Sequence, residues 1–184
     1  MANKVNFGLK NVHYAKLTET NGVISYGTPV KINGGVSLSM SQVGETGEFY
    51  ADDVLYYATT SNQGYEGDLV VAMLPNSFYT DIFGMTINTK DALVESASDK
   101  QSNFALGFEI DGDKNGRRVW FLNCSATRPN TNANTKENGL SVDTITMSIK
   151  MMPRTDNLKT KVSMELGTGN ATEFNGWFTN VYEG

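Results

Sequence analysis

Apolar and polar residues alternate with a period of two along several segments of this chain. Side chains of a strand point alternately to opposite faces, so each such segment has one apolar face. The alternation is clearest at residues 36–41, 104–110, 144–151 and 161–166. Further strands are predicted at residues 13–17, 24–32, 49–51, 55–60, 65–73 and 117–126.

One segment departs from this period and predicts a short helix over residues 75–83. Pro75 suits a first helical turn, and Gly84 suits the left-handed position after a helix end. Phe78, Ile82 and Phe83 share one helical face, so we expect them to pack against the sheet. The sequence therefore predicts one mainly β domain over residues 1–184, a two-sheet antiparallel sandwich or barrel with a single flanking helix.

Charge and composition narrow the range of functions. Lys and Arg number 15 and Asp and Glu 20, a net charge of −5 that does not favour binding to DNA phosphates or anionic membranes. The longest apolar run, residues 69–74, is too short to span a bilayer, and the first residues lack the apolar part of a secretory signal. With one cysteine there is no internal disulfide, which fits synthesis in a reducing cytoplasm.

Few groups suited to catalysis are present. The single histidine, His13, has no partner that the sequence can assign, and Cys124 follows an apolar run that predicts a buried thiol. Two such residues cannot supply the ligands of a zinc site. We therefore expect no enzyme, no metal and no cofactor.

Residues 42–64 mix acidic and aromatic side chains without a clean apolar face. The acids could form a catalytic pair, as in glycosidases, or a solvated charged patch. The tyrosines could stack on sugars or seal a protein interface, and an ordinary solvated hairpin is an equal alternative. The residues concerned are Glu45, Glu48, Tyr50, Asp52, Asp53, Tyr56 and Tyr57.

Five segments, in this order, resemble the major tail proteins of siphophages and prophages of Gram-positive bacteria. They are YADDVLYY (50–57), GYEGDL (64–69), LPNSFYTDIFG (74–84), FALGFE (104–109) and NCSATRP (123–129). The resemblance covers about residues 12–153. It implies a β-sandwich with a flanking helix, of which six copies close into a ring. The inner sheets of the ring join as a barrel, and stacked rings form the tail tube that conducts the genome.

The resemblance also assigns roles to segments of the chain. Residues 42–64 are the expected inter-ring loop, and residues 1–11 and 167–184 the expected terminal arms. The implied partners are further copies of the chain and the tape-measure, terminator and distal tail proteins. DNA would pass through the lumen without sequence-specific binding. We expect assembly in the host bacterial cytoplasm, a final place in the virion tail, and no membrane contact.

Two predicted strands carry short hydroxyl side chains where a solvent face usually carries Lys and Glu. A surface of short hydroxyl groups is polar but uncharged, and an acidic protein has little affinity for the phosphates of DNA. We therefore expect these faces to line the tube. The residues are Ser37, Ser39 and Ser41 in one strand, and Thr144, Thr146 and Ser148 in the other.

Other functions stay open at this point. A carbohydrate-binding sandwich would use the exposed tyrosines and neighbouring acids of residues 42–64. A tube subunit of a related secretion system or tailocin would share the same fold. A stand-alone adhesin is disfavoured by the missing secretory signal.

Overall fold

The computed structural model describes residues 4–112, 114–135 and 142–184. Strands hold 49% of the chain and helices 6%, so the predicted mainly β fold is confirmed. The strands are β1 (Asn6–Thr20), β2 (Val23–Tyr26), β3 (Val30–Lys31), β4 (Gly35–Val43), β5 (Thr46–Ala51), β6 (Val54–Thr60), β7 (Gly64–Val71), β8 (Thr86–Ile87), β9 (Leu93–Val94), β10 (Phe104–Gly112), β11 (Arg117–Ala126), β12 (Ile145–Met151) and β13 (Lys161–Glu165). The helices are α1 (Asn76–Asp81) and α2 (Ala171–Asn175).

Nine strands form one antiparallel sheet in the order β2-β1-β10-β11-β12-β7-β4, with β3 beside β1 and β13 beside β11. The sheet divides at β11, which pairs with β13 through its first half and with β12 through its last three residues. The sheet thus forms two layers. We call the layer of β4, β7 and β12 the inner layer, and the layer of β1, β10, β11 and β13 the outer layer. The layers face each other closely enough that a β-carbon on Gly35 of β4 would stand 2.8 Å from a methyl group of Val12 in β1.

The main core fills the space between the two layers. In β12, Met147, Ile149 and Met151 are buried, and the intervening residues are exposed, which confirms the predicted alternation. Each such side chain contributes roughly 1.5–3 kcal/mol through burial. The other fully buried large side chains here are Tyr14, Ile32, Leu69, Phe78, Ile82, Phe83, Phe104 and Leu106.

Helix α1 closes the end of the sandwich opposite the N-terminus of β1. Phe78, Ile82 and Phe83 are all buried, and the Phe78 ring meets those of Phe83 and Phe104 edge to face at 5.5 Å. The helix is shorter than predicted because Pro75 is its N-cap and Ile82 its C-cap. Gly84 has a φ of +75°, as the sequence predicted for the residue after the helix.

A second buried layer, absent from the sequence prediction, lies outside β10 and β11. Residues 166–184, the C-terminal strap, include α2 and pack over the outer face of these strands. Trp177 is fully buried, and its carbonyl oxygen accepts a hydrogen bond of 3.1 Å from Trp120 Nε1. The expectation that each strand has one apolar face is therefore wrong for β10, in which Ala105 and Glu109 are buried as well as the large side chains.

The described residues of the two predicted arms lie against the body of the domain. Residues 6–11 lie in β1 and pair with β10, and residues 1–3 lie outside the described part of the chain. At the other end, the buried Arg154 side chain binds Asp156 and Glu183. Lys159 Nζ donates hydrogen bonds to the carbonyl oxygens of Glu183 and Gly184 at 2.8 and 3.1 Å.

Candidate functional site

The structure brings the two predicted hydroxyl strands together on one exposed face. They do not touch, because β7 lies between β4 and β12. The register aligns Ser37 and Thr146 across Val70, and Ser39 and Ser148 across Asp68. A third row, one step along the strands, joins Ser41, Glu66 and Lys150. We call these nine residues the polar face.

A polar contact joins two neighbouring strands within the middle row of the polar face. The Ser148 hydroxyl donates a hydrogen bond of 2.6 Å to Asp68 Oδ1. A shallow groove of about 440 Å³ runs over Glu66, Asp68 and Lys150 toward Ser125 and Thr127. With two carboxylates and one ammonium group, the surface carries a small negative excess, and its one cation, Lys150, lies beside Glu66 in the register.

Sequence reasoning missed the part of this face that comes from β7. Glu66, Asp68 and Val70 alternate with the core residues of β7, so their outward direction was readable from the period of two. Thr144, in contrast, lies before β12 begins, outside the paired strand. It is exposed and borders a different cavity, beside Asp143 and Arg128. Of the six hydroxyl residues, five therefore belong to the polar face.

The inner layer ends in an unprotected strand edge. β4 is the last strand of the sheet order, and no strand of the described residues pairs with its outer side. Its sequence, GVSLSMSQV, has neither the prolines nor the charged residues that usually block pairing at an edge. A nine-residue edge of this kind is a template for pairing with another strand.

Residues 42–64 form a projecting hairpin made of β5 and β6. It continues the β4–β7 ladder, because the Gln63 and Ser61 amides donate 2.9 Å hydrogen bonds to the carbonyl oxygens of Val43 and Glu45. Eight residues beyond Val43, at about 3.3 Å each, carry the tip roughly 25 Å past the sheet. Its large apolar side chains are each at least half exposed: Phe49, Tyr50, Val54, Leu55, Tyr56 and Tyr57. A concentration of exposed apolar groups like this one marks an interaction surface.

The acidic residues of the hairpin are spread along it. Asp52 and Asp53 form the two-residue turn at the tip, and the Glu48 carboxylate accepts a hydrogen bond of 2.9 Å from the Tyr50 hydroxyl. Glu45 lies at the base, where its amide donates a hydrogen bond to the Ser61 hydroxyl. All four acids are exposed. A glycosidase holds two carboxyl groups on either side of a bound sugar. This hairpin projects into solvent and forms no cleft that could hold a sugar between its carboxylates.

The Asp52–Asp53 turn can be stabilised by one substitution. Both residues have positive φ angles, 52° and 61°, which is the type I′ geometry that favours glycine at the second position. Asp53→Gly should relieve about 1 kcal/mol of strain, so that hairpin amides exchange with solvent about fivefold more slowly. Glu48→Gly, within β5, should instead speed exchange. Unchanged exchange in Asp53→Gly would contradict the assigned turn.

Compared with protein-family models, the chain matches none, and no curated protein is significantly similar to it in sequence. The two helices of the described residues, six and five residues long, are too short to cross a membrane.

The two residues considered for catalysis lie away from both surfaces. The His13 ring stacks on Phe178 of the C-terminal strap at 4.3 Å, and its Nδ1 lies 2.8 Å from the carbonyl oxygen of Asn11. Burial lowers the pKa of His13 from its usual value. Cys124 is fully buried, as expected, and burial raises the pKa of its thiol. Both residues therefore serve packing within the domain.

Proposed function

We propose that this protein is a structural subunit that associates with copies of itself into rings, and that the stacked rings form the tail tube of a long-tailed phage. The proposal rests first on the resemblance carried by the five sequence segments. In this proposal the protein resides in the virion tail and contacts other tail proteins at the tube ends. DNA passes along the lumen without sequence-specific binding to its wall.

The polar face is the structural observation that carries the proposal. Strands far apart in sequence place five hydroxyl side chains on one exposed surface, and that surface belongs to the layer that ends in the open edge of β4. Edge-to-edge pairing of this layer between copies would give a continuous sheet with hydroxyl groups along one side. The same sheet closed on itself would form a barrel with a polar wall.

Ring closure sets a second requirement, a contact between two different surfaces of the same subunit. Such a heterologous contact closes into a ring when the rotation between neighbours divides a full turn. The open edge of β4 and the projecting hairpin each present a surface that no other described part of the chain covers. The resemblance sets the expected number of copies at six and places the hairpin at the contact between rings.

Carbohydrate binding is the weaker candidate. Sugar and other small-molecule sites are concave, with polar groups that converge on the ligand. Tyr56 and Tyr57 lie on a hairpin that projects into solvent, and this shape suits a protein contact better. A glycan array with the purified protein should give no binding, whereas specific binding lost in Tyr56→Ala would favour the carbohydrate reading.

Electron microscopy of the concentrated protein tests the proposal. The wild-type chain should form hollow tubes of stacked rings. A variant with residues 46–60 replaced by Asn-Gly should stay folded and form no tubes, because Glu45 and Ser61 still close the shortened ribbon. The proposal fails if the wild-type protein shows no ordered oligomer at any concentration, or if the shortened variant makes normal tubes.

Thiol labelling of assembled tubes tests the position of the polar face. Ser39→Cys should react with a reagent wider than a DNA duplex much more slowly in tubes than in the dissociated subunit, because such a reagent cannot enter the lumen. Thr172→Cys, exposed on α2, is the control and should react at similar rates in both states. Equal protection of both positions, or fast labelling of Ser39→Cys in tubes, would contradict a luminal face.

A further inference from the structure

Charged side chains of opposite sign are separated along the first third of the chain. Residues 1–43 contain four lysines and one carboxylate, Glu19, whereas residues 44–63 contain four carboxylates and no cationic residue. The chain, although acidic as a whole, thus places a basic segment directly before the acidic hairpin. The lysines are Lys4, Lys10, Lys16 and Lys31.

Two of these lysines have no carboxylate partner among the described residues. Lys10 forms ion pairs with two carboxylates of β10. Lys16 and Lys31, in contrast, are exposed, and no described carboxylate lies within ion-pair distance of either. β3 pairs with β1 on the side away from β10, which places Lys31 beside His13 and Lys16 three residues farther along β1. We call this side of the outer layer, with Lys16 and Lys31, the basic edge.

The basic edge and the hairpin lie at opposite ends of the β4–β7 ladder. β4 begins at Gly35, four residues after Lys31, where its backbone lies against Val12 of β1. It ends at Val43, where the hairpin begins. In a stack in which every ring has the same polarity, each hairpin therefore faces the basic edge of the next ring.

Charge decides on which side of the next inner layer the hairpin passes. The hairpin continues its own inner layer, so it meets the inner layer of the next ring end on and must pass to one side. On one side lies the polar face, where Glu66 and Asp68 outnumber Lys150 and repel an acidic hairpin. On the other side lies the basic edge, whose charge is opposite to that of the hairpin. Complementary charge at an interface selects the partner and its orientation, and here it favours the basic edge.

The two carboxylates nearest the hairpin base match the basic edge in position. At about 3.3 Å per residue, Glu45 and Glu48 stand roughly 7 and 17 Å past Val43, at the junction between two rings. Both are exposed, and neither forms an ion pair with a described residue. The aromatic residues and the Asp52–Asp53 turn lie farther out, along the body of the next subunit.

We propose that Glu45 and Glu48 of each subunit pair with Lys16 and Lys31 of a subunit in the next ring, a contact that rests on the proposed function. Such pairing also fixes the polarity of the stack, because two rings placed hairpin to hairpin would bring carboxylates against carboxylates. Salt screens exposed pairs of this kind, so stacking should weaken as ionic strength rises.

Charge reversal on each side of the junction tests this contact. In the first variant, Lys16→Glu/Lys31→Glu, the edge becomes acidic, and in the second, Glu45→Lys/Glu48→Lys, the hairpin base becomes basic. Glu45 joins the base through its backbone, so the hairpin keeps its hydrogen bonds. At low salt each variant alone should form rings, but about tenfold less sedimentable tube than wild type, because like charges then meet at every junction.

Restored tubes are the decisive result. A chain that carries all four substitutions should form tubes again, because each junction again joins unlike charges. An equimolar mixture of the two variants should do the same, with rings of the two kinds in alternation. Lys90→Glu/Lys100→Glu is the matched control, with the same change of charge at exposed positions outside the basic edge, and should form tubes in normal amount.

The other outcomes separate this contact from the proposed function. Normal tubes in both reversed variants, or an equal loss in the Lys90→Glu/Lys100→Glu control, would refute the contact and leave the proposed function intact. Loss of the rings themselves would place the contact within a ring. Restoration in the fourfold variant but not in the mixture would place it within one chain. Association that requires both variants, in a protein whose wild type never forms tubes, would support the pairing and refute the tube.

Discussion

Replacing Trp177 by alanine is expected to lower the free energy of unfolding by about 3–5 kcal/mol, the usual cost of truncating a large buried aromatic side chain. Trp177 is fully buried between the C-terminal strap and the outer face of β10 and β11, against Trp120, Leu122 and Ala105. Its ring also packs on Tyr182, with the ring centres 5.1 Å apart. Loss of the indole would leave a cavity that the short strap cannot close, because the strap has no strand pairing of its own to hold it in place.

Urea unfolding followed by fluorescence and circular dichroism measures this loss, and Met73→Ala is the matched control. Met73 is 72% exposed, so its truncation should change stability by less than about 0.5 kcal/mol. Hydrogen exchange adds a local readout, because amides of β10 and β11 beneath the strap should lose protection in Trp177→Ala. A loss below about 1 kcal/mol would mean that the strap is a dispensable arm and not part of the core.

The strands that have one solvent side were predictable from the sequence because local spacing decides their faces. In β12, large apolar residues alternate with Thr, Ser and Lys, and burial follows the same order. Helix α1 was predictable for a similar reason, since Phe78, Ile82 and Phe83 fall on one face and glycine follows. The helix ends were less certain because Pro75 can serve equally as the residue before a helix or as its first residue.

The second buried layer was not predictable, because it depends on contacts between distant parts of the chain. Ala105 and Gly107 lie between large apolar residues of β10 and look like a small-residue solvent face. They are small because Trp120 covers them: a β-carbon on Gly107 would stand 2.6 Å from the indole ring. Glu109 also suggested exposure, yet its carboxylate is buried and binds Arg118 at 2.9 Å. No pattern in the neighbouring sequence indicates that Trp120 and Arg118 are the residues in contact with them.

For the polar face, the sequence predicted the members but not their arrangement. Ser39 and Ser148 are 109 positions apart in the chain, and only the insertion of β7 between their strands aligns them. The hairpin, in contrast, could be predicted from the local sequence alone. Its acidic and aromatic composition already separated residues 42–64 from the rest, and Asp52–Asp53 supplied a two-residue turn.

Replacing Gly67 by alanine is expected to cost about 3 kcal/mol, at the upper end of the range for overpacking in a close-packed region. Gly67 lies in the middle of β7, between Met40 of β4 and Ile149 of β12. An added β-carbon would overlap the backbone carbonyl oxygen of Ser39, which cannot move without the rest of β4. The expected result is a shift of β4 away from β7, which disturbs both the polar face and the base of the hairpin.

Gly169→Ala is the matched control, because a β-carbon at Gly169 meets nothing within 4 Å. It should change the free energy of unfolding by less than about 0.5 kcal/mol in the same urea titration. Gly67→Ala should in addition abolish tube formation at temperatures where the protein is still folded, since the open edge of β4 and the hairpin both depend on the β4–β7 ladder. Normal stability together with normal tubes in Gly67→Ala would show that β4 is not held at this distance from β7 in the assembled subunit.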